Sequence, residues 1–383
     1  YVRSRIDAFP DKLRRGLDNV SRQYQPRMIG IATTCLVETI GEDVKMLLND
    51  YHPAAEPAPD LVHVSTPSYR GTHVDGFHAA VRAVVGQLAE AGEPTSSVNL
   101  FPGAVSPADL RHLKEIASAF SLDVAILPDY SRPLDGAQLE EYRKSPEGGT
   151  PLASIRAMGR AAVSIEFGRT LEGSATGAAE LERKFGIARK TLGWPVGVVE
   201  SDRFFSELSA ISGRPVPQIF VRERGRLVDS YVDAHKYVFG KRAIVYGEED
   251  LVVGLAAFLS EIGIQPVLCA SGGQSGRLEA AVAAVTASSV GPVLARGNLD
   301  FAAVRELALE MKPDFMIGGS KGYSIARELD IPLIRVGFPI HDRIGGQRIL
   351  HLGYRGAQQL FDAVTNTLLA RAQDRSPVGY SYL

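Results

Sequence analysis

The sequence predicts an α/β fold: two to three Rossmann-like, doubly wound domains with mainly parallel sheets. Three observations lead there. Short apolar runs alternate with amphipathic helical patterns from end to end, as βαβ units do. The chain has 383 residues, 45% hydrophobic and 22% charged, enough for more than one core at ordinary domain sizes. Neither a short-period repeat nor a low-complexity tract breaks the alternation.

The elements follow in order. Leu13, Leu17, Val20 and Tyr24 share one helical face, and Pro26 ends that helix before an apolar strand over 28–33. Beyond Cys35 a helical pattern carries Val44, Leu47 and Leu48. A strand over 61–64 leads to a helix over about 75–89 and a strand over 98–101. Ser106 as N-cap and Pro107 at the first helical position open a helix with Leu110, Leu113, Ile116 and Phe120. A strand over 124–127 precedes a polar, Pro/Gly-rich connection over 128–149. Thr150-Pro151 opens a helix, 162–167 reads as strand and 175–185 as helix. Val196 to Val199 and a helix over 201–211 continue the alternation, and 217–239 is a long helix expected to bridge domains. The last series is strand 243–246, helix 250–262, strand 265–269, strand 292–295, helix 300–311, strand 314–317, helix 321–329 and strand 332–336. Three domains are expected: 1–130, an N-terminal α/β unit carrying Cys35; 131–240, a middle unit with the bridging helix; and 241–383, a C-terminal α/β unit.

Composition narrows the function. A net charge of −2 argues against a nucleic-acid partner. Two cysteines, Cys35 and Cys269, argue against a disulfide-stapled secreted protein. No apolar run approaches the roughly 20 residues that cross a bilayer, and the stretch from Tyr1 to Phe9 lacks a signal peptide's apolar core. A soluble cytoplasmic protein is the default expectation.

Cys35 stands at a strand-to-helix turn. Its sulfur would project from the carboxyl edge of a sheet, where open α/β folds bind ligands. Thiolate is also what iron–sulfur clusters require, whereas a free cysteine on its own more often packs as an inert apolar group. The other candidates have plainer readings. Ser68 after Pro67 can be a turn residue capping backbone amides. His73 is expected to be structural or at the surface, and the other histidines lack metal-ligand spacing. Cys269 ends a strand before a glycine-rich loop and is expected to be buried and inert. Gly318-Gly319-Ser320-Lys321-Gly322 resembles a phosphate-cradling turn but lacks the P-loop spacing. Glu38, Glu42 and Asp43 are expected in a first helical turn, where carboxylates suit the helix dipole.

The run Thr33-Thr34-Cys35-Leu36-Val37-Glu38-Thr39-Ile40-Gly41-Glu42-Asp43 resembles the Thr-Thr-Cys-x-x-Glu-x-Ile-Gly-(Asp/Glu)-Asp motif of the nitrogenase component 1 superfamily, β-type subunit. Thr66-Pro67-Ser68-Tyr69-Arg70-Gly71-Thr72-His73 is similar to its Thr-Pro-Ser-Phe-x-Gly-Ser-His segment. Further matches in the same order are Ile211 to Pro217, Glu223 to Asp229, Pro313 to Gly318, Pro332 to Ile340 and Leu352 to Ala357. Together they cover the chain from about Lys12 onward. Tyr1-Val2-Arg3 resembles the end of a Gly-Cys-x-x-Tyr-(Phe/Ile/Val)-Arg context, which implies a further ligand cysteine upstream and an incomplete N-terminal segment.

The resemblance implies an oxidoreductase subunit. Cys35 would bind the P-cluster, an eight-iron, seven-sulfur group (or a smaller iron–sulfur cluster) shared with an α-type subunit in an α2β2 heterotetramer. Ser68 would be a second, redox-dependent ligand. The cluster would relay electrons from an ATP-dependent reductase iron protein to an active-site iron–sulfur cofactor in the α-type subunit, for reduction of dinitrogen or a related substrate. No catalytic residue is expected in this chain. Two alternatives follow from the same resemblance: a subunit of a nitrogenase-like methylthio-alkane (C–S) reductase, and a β-like subunit of a cofactor-assembly scaffold. Scaffolds often depart from the Thr-Thr-Cys pattern, so Cys35 and the Glu223 to Asp229 segment favour the enzyme.

Overall fold

The computed structural model describes residues 9–52, 57–142, 144 and 147–378; the Tyr1 to Arg3 segment lies outside them. Helix α1 (Phe9–Tyr24) leads into β1 (Met28–Thr33), then into two short helices, α2 (Cys35–Ile40) and α3 (Val44–Asn49). Strand β2 (Asp60–Ser65) pairs with β1 in parallel, Met28 opposite Asp60 and Thr33 opposite Ser65. Helix α4 (His73–Leu88) follows.

The second sheet is built from β3 (Val98–Phe101), α5 (Pro107–Ala119), β4 (Val124–Ile126), a short α6 (Ser131–Leu134), α7 (Leu152–Ala157), β5 (Val163–Phe167), α8 (Gly177–Phe185) and β6 (Ala188–Leu192). All four strands are parallel, in the order β4-β3-β5-β6. A division at residue 130 would therefore cut this sheet between its neighbouring strands β3 and β5. Helices α9 (Gly197–Ser212) and α10 (Gln218–Val238) lead to the third sheet. Its elements are β7 (Arg242–Tyr246), α11 (Glu249–Glu261), β8 (Gln265–Ala270), α12 (Leu278–Val285), β9 (Leu294–Arg296), α13 (Phe301–Met311), β10 (Phe315–Gly318), α14 (Tyr323–Glu328) and β11 (Leu333–Arg335), followed by α15 (Gly353–Asp374). Its parallel order, β11-β10-β7-β8-β9, is doubly wound, with the switch point between β7 and β10.

One local expectation needs correction, and three elements lie outside those expected. The apolar stretch from Val196 to Val199 is not a further strand: Gly197, at φ +84°, starts α9 there. A short buried apolar run does not distinguish strand from helix. The strand at that place in the order is β6, Ala-Arg-Lys-Thr-Leu, whose charged residues suit a sheet edge. Helices α12 and α15 also lie beyond the elements expected from periodicity.

The second and third sheets share one core. Phe205 lies at its centre, with ring centroids 4.8 Å from Phe220 and 4.8 Å from Tyr354, and 5.8 Å from Phe204. Two buried polar joints fix the units together. Asp109, in the capping box of α5, accepts from the backbone of His351 (2.7 Å) and Leu352 (3.0 Å) and faces His351 Nδ1 at 2.8 Å. Because His351 Nε2 accepts from the Gly337 amide at 3.1 Å, its ring hydrogen sits on Nδ1, toward Asp109. Glu223 of α10 accepts from Arg355 of α15 at 3.0 and 2.8 Å, so two of the motif segments meet as a structural pair. The first sheet has a small core of its own, around Leu17, Ile29 and Tyr51. Among the described residues, no helix is long and apolar enough to cross a membrane.

Phe205→Ala removes the ring on which three helices, α9, α10 and α15, converge. A loss of about 3–5 kcal/mol is expected, read as a lower unfolding midpoint by circular dichroism. Val199→Ala, at a 49% exposed position of the same helix, should leave the midpoint unchanged.

Candidate metal centre

Parallel pairing of β1 and β2 makes both strands deliver their next residues to the same edge. After β1, Thr34 is the extended N-cap of α2 and Cys35 its first residue. After β2, the Thr66 amide donates to the Thr33 carbonyl at 2.9 Å and the Thr66 hydroxyl to the same oxygen at 3.2 Å. A turn closed by Arg70 N donating to Pro67 O at 3.1 Å then presents Ser68. Gly71, at φ +70°, completes it; a Cβ there would lie 2.8 Å from an Asp75 carboxylate oxygen. Thr72 and Asp75 form the capping box that opens α4.

This brings the two candidate ligands together, with Cys35 Sγ 2.8 Å from Ser68 Oγ. The Ser68 hydroxyl and amide hold the Cys35 thiol below its ordinary range, favouring the thiolate that metals bind. The next residue after each, Leu36 and Tyr69, is 70% and 63% exposed, an apolar rim around a polar pair. Among the described residues no group of three or more His, Cys, Asp or Glu side chains could hold a metal ion. The pair thus offers two donors side by side, one sulfur and one oxygen.

Behind the pair stands a network that residue spacing does not reveal. The buried Thr33 hydroxyl bonds to the Glu38 carboxylate and lies 3.2 Å from His63 Nε2. Thr33 and then Ser65 hold Glu38 below the usual carboxylate range. Burial pushes the pKa of His63 down. Of the three acidic residues expected in one first turn, only Glu38 is in α2; Asp43 instead caps α3, accepting from the Met46 amide at 2.9 Å. Register was the missing information: His63 is level with Ile31, so it shares a sheet face with Thr33 two residues on.

The remaining candidates lie apart. His73 is exposed and pairs with Glu248, which precedes α11 at the switch point of the third sheet. Cys269 is wholly buried in β8, in a different sheet from Cys35, and burial pushes its thiol up. At the glycine-rich turn after β10, Tyr246 donates to the Gly319 carbonyl. A Cβ at Gly318 would lie 2.7 Å from Tyr246 Cζ, so the buried aromatic ring packs directly against this turn.

Comparison with known proteins identifies the family and several relatives. The family described as nitrogenase component 1 type oxidoreductase matches residues 10–369. The chain is 34% identical over 365 residues to the nitrogenase molybdenum-iron protein beta chain of Clostridium pasteurianum, covering 94% of this chain and 79% of that one. It is 31% identical over 373 residues to the nitrogenase iron-molybdenum cofactor biosynthesis protein NifN of Bradyrhizobium diazoefficiens, covering 95% and 76%. A solved structure described as nitrogenase Cp1 at pH 6.5 superposes with a TM-score of 0.92 at 31% identity, covering 98% of this chain and 82% of that one.

Ser68→Ala withdraws the hydroxyl that lowers the Cys35 pKa. The thiolate fraction at pH 7.5 falls, so metal-free protein should be alkylated at Cys35 several-fold more slowly, with Cys269 unreactive as internal control. Mass spectrometry of tryptic peptides reads both; an equal rate would show that Ser68 does not act on the thiol.

Proposed function

The chain belongs to the nitrogenase component 1 type oxidoreductases as a β-type subunit, and on that premise we propose that Cys35 and Ser68 are its share of the ligands to an iron–sulfur cluster held jointly with an α-type subunit. The observation that carries this reading is the 2.8 Å approach of Cys35 Sγ to Ser68 Oγ at the exposed carboxyl edge of the first sheet. When bound, such a cluster (of P-cluster type in this reading) supplies one-electron relay between a reductase iron protein and an active-site cofactor in the α-type subunit.

The chain's own residues have three tasks. Cys35 offers a thiolate, and Ser68 a second donor, its hydroxyl oxygen, beside it. Leu36 and Tyr69 offer apolar surface that a partner subunit can cover, drying the site; burial and nearby dipoles then tune the potential. The second and third sheets, joined through Asp109–His351 and Glu223–Arg355, form a stiff support that keeps the edge in place. The reduced substrate, dinitrogen or another, is selected beside the partner's cofactor.

Similarity to the NifN cofactor biosynthesis protein supports a second reading, a β-like subunit of an assembly scaffold. The two differ in turnover: an enzyme subunit sustains substrate reduction with its reductase and ATP, and a scaffold subunit yields a cluster to a recipient protein instead.

Cys35→Ala, in the anaerobically purified assembly, should keep the fold by circular dichroism and lose iron and the relay cluster's paramagnetic signals. Wild-type iron content and signals in that variant would refute the ligand assignment.

A further inference from the structure

We propose that Thr33, held by His63 and Glu38, is a positioning residue that aims the Cys35 sulfur toward Ser68 and so tunes the potential of the group that Cys35 holds. This rests on the cluster reading of Cys35. Thr33 is the last residue of β1 and 4% exposed. Its hydroxyl faces three acceptors or donors: the Glu38 carboxylate, His63 Nε2 at 3.2 Å and the Val64 carbonyl at 3.3 Å. A hydroxyl has one hydrogen to give. Glu38 is held in its ionised form, first by Thr33 and then by Ser65, and a carboxylate is the strongest acceptor of the set. The hydrogen therefore goes to Glu38. For His63 to bond the same oxygen, it must carry its own hydrogen on Nε2 and donate. The result is a one-way chain, His63 to Thr33 to Glu38.

That chain ties down both halves of the site. Glu38 lies in the first turn of α2, whose opening residue is Cys35. The N-cap of α2, Thr34, makes no capping bond with its side chain, so the Thr33–Glu38 bond replaces a cap in fastening the turn that carries the thiol. The Thr33 carbonyl, meanwhile, accepts twice from Thr66, at the head of the loop that carries Ser68. One residue thus holds the Cys35 turn with its side chain and the Ser68 loop with its backbone. Without the hydroxyl, the loop stays and the turn loosens, and sulfur direction and nearby dipoles both influence cluster potential.

The test uses the anaerobically purified complex with its partner subunit, comparing Thr33→Ser, Thr33→Val and Cys35→Ala. Iron content, the redox midpoint and paramagnetic line shape of the cluster, and the melting temperature are measured. Thr33→Ser should match the wild type in all. Thr33→Val should retain iron, with a shifted midpoint and an altered line shape. A Thr33→Val midpoint and line shape equal to wild type would overturn the proposal, as would a lowered melting temperature with no change in either. A Thr33→Ser variant as altered as Thr33→Val would do the same. If Thr33→Val does not assemble, His63→Phe, which removes the donor without adding charge, should retain iron with a shifted midpoint and an altered line shape; no shift overturns the proposal. Cys35→Ala separates the two ideas, because wild-type iron in that variant would reject the cluster reading itself.

Discussion

The parallel pairing of β1 with β2 is the constraint on which the site depends. In a parallel pair the carboxyl ends of both strands lie on one edge, so the loops that follow them meet. Thr33 opposite Ser65 sets the register, and the Thr66 amide on the Thr33 carbonyl extends it by one further bond. Cys35 and Ser68, 33 residues apart in sequence, are brought to 2.8 Å as a consequence. Antiparallel pairing of the same two strands would send the two loops to opposite ends, and neither residue would have the other as a neighbour.

The larger part of the molecule serves as a support. The second and third sheets share a core that converges on Phe205, and the buried Asp109–His351 hydrogen bond and the Glu223–Arg355 ion pair add polar ties. At the switch point of the third sheet, Tyr246 packs against the glycine-rich turn after β10 and donates to its Gly319 carbonyl. The Cys35–Ser68 pair lies at an exposed edge, while the interior of the second and third sheets is given over to packing.

The outlines of the fold were legible because burial imposes a period on the sequence. Strands over 28–33 and 98–101, the Ser106-Pro107 helix start and the long helix after Pro217 stand where residue types place them. Edge strand β6 was not legible: its charged Arg189 and Lys190 dilute the apolar signal, and its pairing with β5 makes it a strand. The run from Val196 to Val199 misled for the opposite reason, since a buried helix start is as apolar as a buried strand.

At the site, the sequence by itself determined that a cysteine stands at a strand-to-helix turn and that a serine follows Pro67 after the next strand. Local residue types decide such turns, and motif resemblance named both residues. Only the tertiary structure decided that the two touch, that Thr33 joins their segments, and that His63 and Glu38 are its partners. Those contacts run between strands, where register and not spacing along the chain sets who meets whom.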